Sequence, residues 1–157
     1  MSDEPLADYP KTVVLTDGAQ LVLRPLGDAE RAALRALLAR VAPAEGFAPA
    51  ADHVILACDR ERVVAAAAVE RGVPEVARLS VAIDPEYRER RLGTWLVLDC
   101  VHLAAGLGVD RLEAAAHPGE AAYLAALARL DFVVDRGRTS PSSVVLVKRL
   151  HRGWTDF

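Results

Sequence analysis

The sequence predicts an α/β (α+β) fold, with one mixed, mostly antiparallel central sheet of about seven strands and helices on both faces. Three observations predict it. The patterned segments run β, α, β, β, β, α, β, α, β, β, so hairpins alternate with helical crossovers; a doubly wound parallel sheet needs a helix between nearly all its strands. The strand-type runs are short and are punctuated by Gly and Pro. The chain has 157 residues and is 52% hydrophobic, which suits one domain with a substantial core.

Taken in order, residues 1–12 read as a flexible N-terminal arm, 13–150 as the single domain and 151–157 as a C-terminal tail. Residues 21–26 form a first strand, stopped by Pro25. Asp28 has the character of a helix N-cap, and Leu34, Leu37, Leu38 and Val41 follow at helical spacing. Residues 43–49 are a loop. Residues 54–57 and 63–69 are strands joined by the polar turn 59–62, and so form a hairpin. Gly72 and Pro74 break the chain before a long strand at 75–83. A helix over 93–105 ends at Gly106 and Gly108 in the manner of a C-cap. Then come a strand at 111–116, a helix at 120–130 and two last strands at 132–134 and 144–148.

Composition narrows the partners. The formal net charge of −3 provides no global basic field for nucleic acid. The apolar runs are short and interrupted by charge, so no membrane span is expected, and the acidic start is unlike a signal peptide. Cys58 and Cys100 fall in buried elements and read as reduced core residues of a cytoplasmic protein. His53, His102, His117 and His151 lack metal-ligand spacing, so no metal is expected. There is no Gly-x-Ser-x-Gly elbow.

The most telling stretch is Tyr87-Arg88-Glu89-Arg90-Arg91-Leu92-Gly93-Thr94, between the strand at 75–83 and the helix at 93–105. A strand that turns tightly into a helix presents free backbone N–H groups at the positive end of the helix dipole, which suits an anion and above all phosphate. A solvated turn of mixed charge would use the same residues, because Glu86 and Glu89 partly cancel the arginines. The stretch resembles the pyrophosphate loop of the GNAT family of N-acetyltransferases. That family's signature, Gln/Arg-x-x-Gly-x-Gly/Ala, here becomes Arg88-Glu89-Arg90-Arg91-Leu92-Gly93, with Arg91 in place of the first glycine. The opening residues 15–26 are similar to those of bacterial protein-lysine acetyltransferases.

The resemblance implies acetyl-CoA as acyl donor and a primary amine as acceptor, either a small amine or a protein lysine. It implies that Arg88 to Thr94 hold the phosphates, with Gly93 allowing their close approach. By the same resemblance Val81, Ala82 and Ile83 offer backbone bonds to the pantetheine arm, and Glu120 stands where an asparagine commonly meets it. The general base in related enzymes is a glutamate on this strand. Glu75 is the candidate here, although Arg78 occupies the aligned place, and Glu70 is the reserve. The usual acid, a tyrosine five residues before a Gly-Phe pair, falls at Leu127, and the pair itself is Asp131-Phe132. Tyr123, one helical turn earlier, is the candidate acid or simply a core residue. His117, after the strand at 111–116, is a further proton-transfer candidate or a loop residue. The tail residues His151, Trp154 and Phe157 either dock, on this chain or in a homodimer, or fray. Two functions follow: an N-acetyltransferase working by direct attack in a ternary complex, or an acyl-CoA-binding module without turnover.

Overall fold

A computed structural model describes residues 9–41, 53–72, 75–87 and 91–150. The strands are β1 (Lys11–Val14), β2 (Gln20–Pro25), β3 (His53–Asp59), β4 (Arg62–Arg71), β5 (Val76–Ile83), β6 (Arg111–Ala116), β7 (Val133–Val134) and β8 (Val144–Arg149). The helices are α1 (Arg31–Arg40), α2 (Leu92–Gly106) and α3 (Ala121–Arg129), with 3₁₀ turns at Asp28–Glu30 and Pro85–Tyr87. They build an eight-stranded sheet in the order β1-β2-β3-β4-β5-β6-β8-β7. Every neighbouring pair is antiparallel except β5 and β6, which are parallel and joined through α2.

The predicted fold class holds, with one strand more than expected. The extra strand is β1, Lys11–Val14, which pairs with β2 from Lys11↔Leu23 to Val14↔Gln20. Part of the segment read as a flexible arm is therefore ordered. It is tied down by a contact from far along the chain: Asp99, buried in α2, accepts from the Tyr9 hydroxyl at 2.7 Å and from Lys11 Nζ at 2.8 Å. A carboxylate among Leu96, Val97, Cys100 and Leu103 must be paired to remain inside, and Lys11 pairs it. The residues 1–8, 42–52 and 151–157, with the expected loop and tail, lie outside the described residues.

The core has two layers, one on each face of the sheet. Under α2 and α3 lie Leu21, Leu23, Ile55, Ala67, Leu79, Leu92, Leu96, Leu112, Leu127 and Phe132. Under α1 lie Leu34, Leu37, Val54, Leu56, Val63, Ala66 and Ala82. Central β4 is buried on both faces, which is why 63–69 reads as a continuous apolar run rather than an alternation. Its alanines are short enough to let helices lie close above and below. The helix predicted from Asp28 is a 3₁₀ turn followed by α1; Gly27, not Asp28, begins it, and its N–H donates to the Glu30 carboxylate at 3.1 Å.

Candidate active site

Two features converge at the end of β5. The first is a fork in the sheet. Strands β5 and β6 pair from Val76↔Arg111 to Leu79↔Ala114 and then separate. Beyond that point β5 continues to pair with β4 as far as Ile83, and β6 with β8 as far as Ala116. A slot therefore opens inside the sheet, with Val81, Ala82 and Ile83 along one wall. Ala82 is buried and Val81 and Ile83 are half-buried.

The second feature is the turn from β5 into α2. Its entrance is held from both sides. Asp84 is 3% exposed, and its carboxylate accepts from the Glu86 N–H at 3.0 Å, from Arg40 Nε at 3.2 Å and from Arg62 Nη2 at 3.1 Å. Burial alone would push the Asp84 carboxyl up, but the Glu86 N–H and the guanidinium groups of Arg40 and Arg62 hold it below the usual carboxylate range. Tyr87, also buried, donates its hydroxyl to Asp59. Arg88, Glu89 and Arg90 lie outside the described residues.

At the exit, exposed Arg91 is the N-cap of α2 and takes the left-handed conformation, φ 69°. That conformation costs an L-residue roughly 1–2 kcal/mol and costs glycine none. The motif's missing glycine is thus missing at a turn position that favours it. Gly93 lies in the first turn of α2, and a Cβ there would sit 3.5 Å from Ile83 Cδ1 and 3.8 Å from Ala126 Cβ, so it also lies close against β5 and α3. Leu92 is buried in the core beneath the turn. Thr94 Oγ1 accepts from Arg129 Nη1 at 3.1 Å, which brings the end of α3 over the start of α2. The Arg91 side chain makes no capping bond to α2, so no side chain at the N-cap position occupies its first N–H groups.

Tyr123 sits on the buried side of α3. Its hydroxyl is out of solvent and has no hydrogen-bond partner among the described residues. Burial, with the neighbouring Cys100 and Glu120, pushes its pKa well above the usual tyrosine value, so it stays protonated. Leu127 is fully buried, and the position holds core, not chemistry. Asp131, like Arg91, stands where the family pattern has glycine and is left-handed, φ 71°. Glu120 precedes α3 and accepts the Leu124 N–H on its backbone carbonyl at 2.9 Å. His117 is exposed, and its Nδ1 accepts the Gly119 N–H at 3.0 Å, which makes it a turn-forming residue.

Glu75 is not brought to the fork. It is exposed and left-handed, φ 74°, and its carbonyl accepts from Asp110 N at 2.7 Å and Arg111 N at 3.0 Å. It knits the closed end of the β5–β6 pair, about 13 Å along the strand from Leu79. Glu70 pairs in register with Arg78 on the face of α1. The buried carboxylates were missed from the sequence, Asp84 and Asp99 as well as Glu113, which lies in β6 and takes both of its oxygens to Arg138 at 3.1 and 2.8 Å. Arg138 also bonds Asp135 at 2.9 Å. The signal was a lone acid inside the apolar run 112–116.

Among the described residues there is no cluster of metal-ligating side chains and no helix long and apolar enough to cross a membrane. Cys58 and Cys100 are buried and free, and burial raises both thiols above their ordinary pKa.

Comparison with known proteins gives a consistent result. Residues 24–132 match the family described as acetyltransferase (GNAT) family. The fold resembles the GNAT domain of PAT from S. lividans, with a TM-score of 0.78 at 17% identity over 92% of this chain and 98% of that one. It also resembles the ribosomal-protein-S18-alanine N-acetyltransferase of Escherichia coli, with a TM-score of 0.66 at 16% identity over 83% of this chain and 94% of that one. An acetyltransferase from Salmonella typhimurium, solved with its cofactor acetyl-CoA, superposes with a TM-score of 0.64 at 16% identity, over 83% of this chain and 94% of that one. No curated protein matches the sequence.

Proposed function

Starting from the acetyltransferase (GNAT) family, to which this chain belongs, we propose that it transfers an acetyl group from acetyl-CoA to a primary amine by direct attack in a ternary complex. The fork between β5 and β6 carries this reading, because beyond Leu79 and Ala114 the two strands stop pairing with each other, beside the start of a helix whose N-cap side chain makes no capping bond. Those two features fit the two ends of the donor. The pantetheine amides match the β5 edge along Val81 and Ala82, and the pyrophosphate matches the N–H groups of Leu92, Gly93 and Thr94. The buried Tyr123 hydroxyl is a further polar group in search of a partner on the same side of the sheet.

Acetyl-CoA supplies the activated acyl carbon. The chain supplies position: the fork holds the acyl end near Leu79 and Ala114, and holding amine and thioester together contributes most of the acceleration. The nitrogen forms its bond to the acyl carbon, the carbon–sulfur bond breaks, and the thiolate takes up a proton. Tyr123, kept neutral by burial, is the proposed donor of that proton. Glu75 is the proposed acceptor of the amine proton, reached through water because it stands far from the fork. Glu75→Gln is therefore expected to lower kcat/KM by less than the roughly 100-fold typical of a base in direct contact.

Binding of acyl-CoA without turnover is the second reading, favoured by buried Leu127 at the position of the family's usual acid. Release of CoA thiol in the presence of acetyl-CoA and a panel of amines separates the two. Amine-dependent release supports transfer. Thermal stabilisation by acetyl-CoA with no release supports binding alone, and absence of any stabilisation refutes both.

A further inference from the structure

We propose that the open face of the sheet beside the fork is a docking surface for the acceptor, and that the acceptor is a protein segment whose reactive lysine is flanked by carboxylates. The inference rests on the acetyltransferase reading and specifies its acceptor.

Strand alternation sorts the side chains. On β5, β6 and β8, Leu79, Leu112, Ala114 and Leu146 belong to the core under α2 and α3. Arg78, Arg111, Glu113, Val147 and Arg149 point to the opposite face. On that face α1 packs against β4 and β5, and beyond it Arg78, Arg111, Arg149 and Val133 are exposed, Val133 by 68%. A groove of about 740 Å³ runs there, with Arg111, Asp131, Val133, Val147, Lys148 and Arg149 among its lining residues.

Charge on this face is matched across the strands except in one row. Arg78 stands in register between Glu70 of β4 and Glu113 of β6, and Glu113 is further held by Arg138. Arg111, by contrast, is directly opposite Arg149. Like charges at facing positions destabilise a sheet. Arg111 and Arg149 form no ion pair with any described residue, although Asp131 and Asp135 line the same groove and Asp135 is held by Arg138; Lys148, between Val147 and Arg149, alternates to the other face. This facing pair of arginines is a place where incoming carboxylates relieve a repulsion as well as gain an attraction.

The distances suit an extended peptide. Arg111 lies about 10 Å along β6 from Ala114, where the fork opens. A lysine side chain reaching about 6 Å, plus one or two residues of extended backbone, spans that gap. Acidic residues next to the lysine then meet Arg111 and Arg149 while the amine enters the fork, and Val133 and Val147 supply apolar contact. A small polyamine would instead be repelled by the same row.

The test uses two lysine peptides that differ only in their flanks, acidic in one and basic in the other, together with a free small amine. At low salt the acid-flanked peptide is expected to have a kcat/KM roughly tenfold higher or more, a gap that narrows as salt screens it. The double variant Arg111→Glu, Arg149→Glu should reverse the preference and leave the thermal shift with acetyl-CoA unchanged. Fluorescence anisotropy of labelled peptide reads the same docking without turnover. Equal use of the two peptides, an unchanged preference in the variant, or a free amine that outcompetes both overturns the docking proposal. Loss of acetyl-CoA stabilisation in the unaltered protein overturns the acetyltransferase reading instead. Arg111→Glu alone, which turns the facing pair attractive, should raise the melting temperature and so shows that the variants fold.

Discussion

Replacing Tyr123 by phenylalanine removes one oxygen atom from the interface between α2 and α3 and leaves the ring in place. That oxygen is shielded from solvent and unpartnered among the described residues. A buried polar group without a hydrogen bond costs about 1–3 kcal/mol. Tyr123→Phe should therefore stabilise the protein without ligand by about 1 kcal/mol or more. For a domain of this length that is a rise of roughly 2–4 °C in melting temperature per kcal/mol. Differential scanning calorimetry or denaturant titration with a shared m-value measures it. The raised pKa makes a second, independent statement. Stability from keeping Tyr123 neutral is complete below the ordinary tyrosine value near pH 10 and is lost as pH rises further. The phenylalanine variant should lose less stability than the unaltered protein in that alkaline range. The same variant should reduce the extra stability conferred by acetyl-CoA, if the hydroxyl meets the bound donor as proposed. A variant destabilised by more than about 0.5 kcal/mol would refute the argument, because it would show that the hydroxyl already has a partner.

Three further outcomes are expected. Arg91→Gly removes a side chain from a left-handed N-cap and should stabilise the protein by about 0.5–1 kcal/mol, read from its melting temperature. Asp84→Asn should cost about 1–3 kcal/mol at neutral pH. Because the Asp84 carboxyl is held below its ordinary value, its contribution is complete above about pH 3.9 and fades as pH falls further, so stability of the Asn variant should be flatter across acid pH. Removal of residues 1–11 takes away both partners of buried Asp99 and should destabilise by about 3–5 kcal/mol, whereas removal of 1–8 keeps them; chemical denaturation of the two truncations separates these cases.

Those predictions divide along the line between what the sequence carries and what it does not. The hairpin β3–β4 and the helices α1, α2 and α3 were legible within a few residues, because their signals are local: apolar spacing, a polar turn, a terminal glycine. Strand β1 was not, since what orders it is Asp99, 88 positions from Lys11. The pairing of Glu113 with Arg138 was hidden for the same reason. The fork itself was not legible, and the family resemblance implied only backbone bonds from Val81, Ala82 and Ile83, because the pattern of side chains does not record where two strands stop sharing hydrogen bonds. At Arg91 and Asp131 the sequence showed a departure from glycine, and the backbone angle gives its physical meaning. Both positions still demand the left-handed turn, so the shape of the motif outlasts its residue. Glu75 was chosen by its place on a strand, and the register sets it at the wrong end of that strand for direct contact.

The fork also has a meaning for the dynamics of the sheet. A stretch of strand that lacks one neighbour is an edge, here placed in the middle of the sheet rather than at its rim. Between Ser80 and Ala82, amide protons that face the slot should exchange with solvent faster than those of Val76 to Leu79 that face β6, while those that face β4 stay protected. A ligand laid into the slot would act as the absent neighbour and slow that exchange residue by residue. Hydrogen exchange along one strand could then map how deeply a bound molecule enters, before any reaction is known.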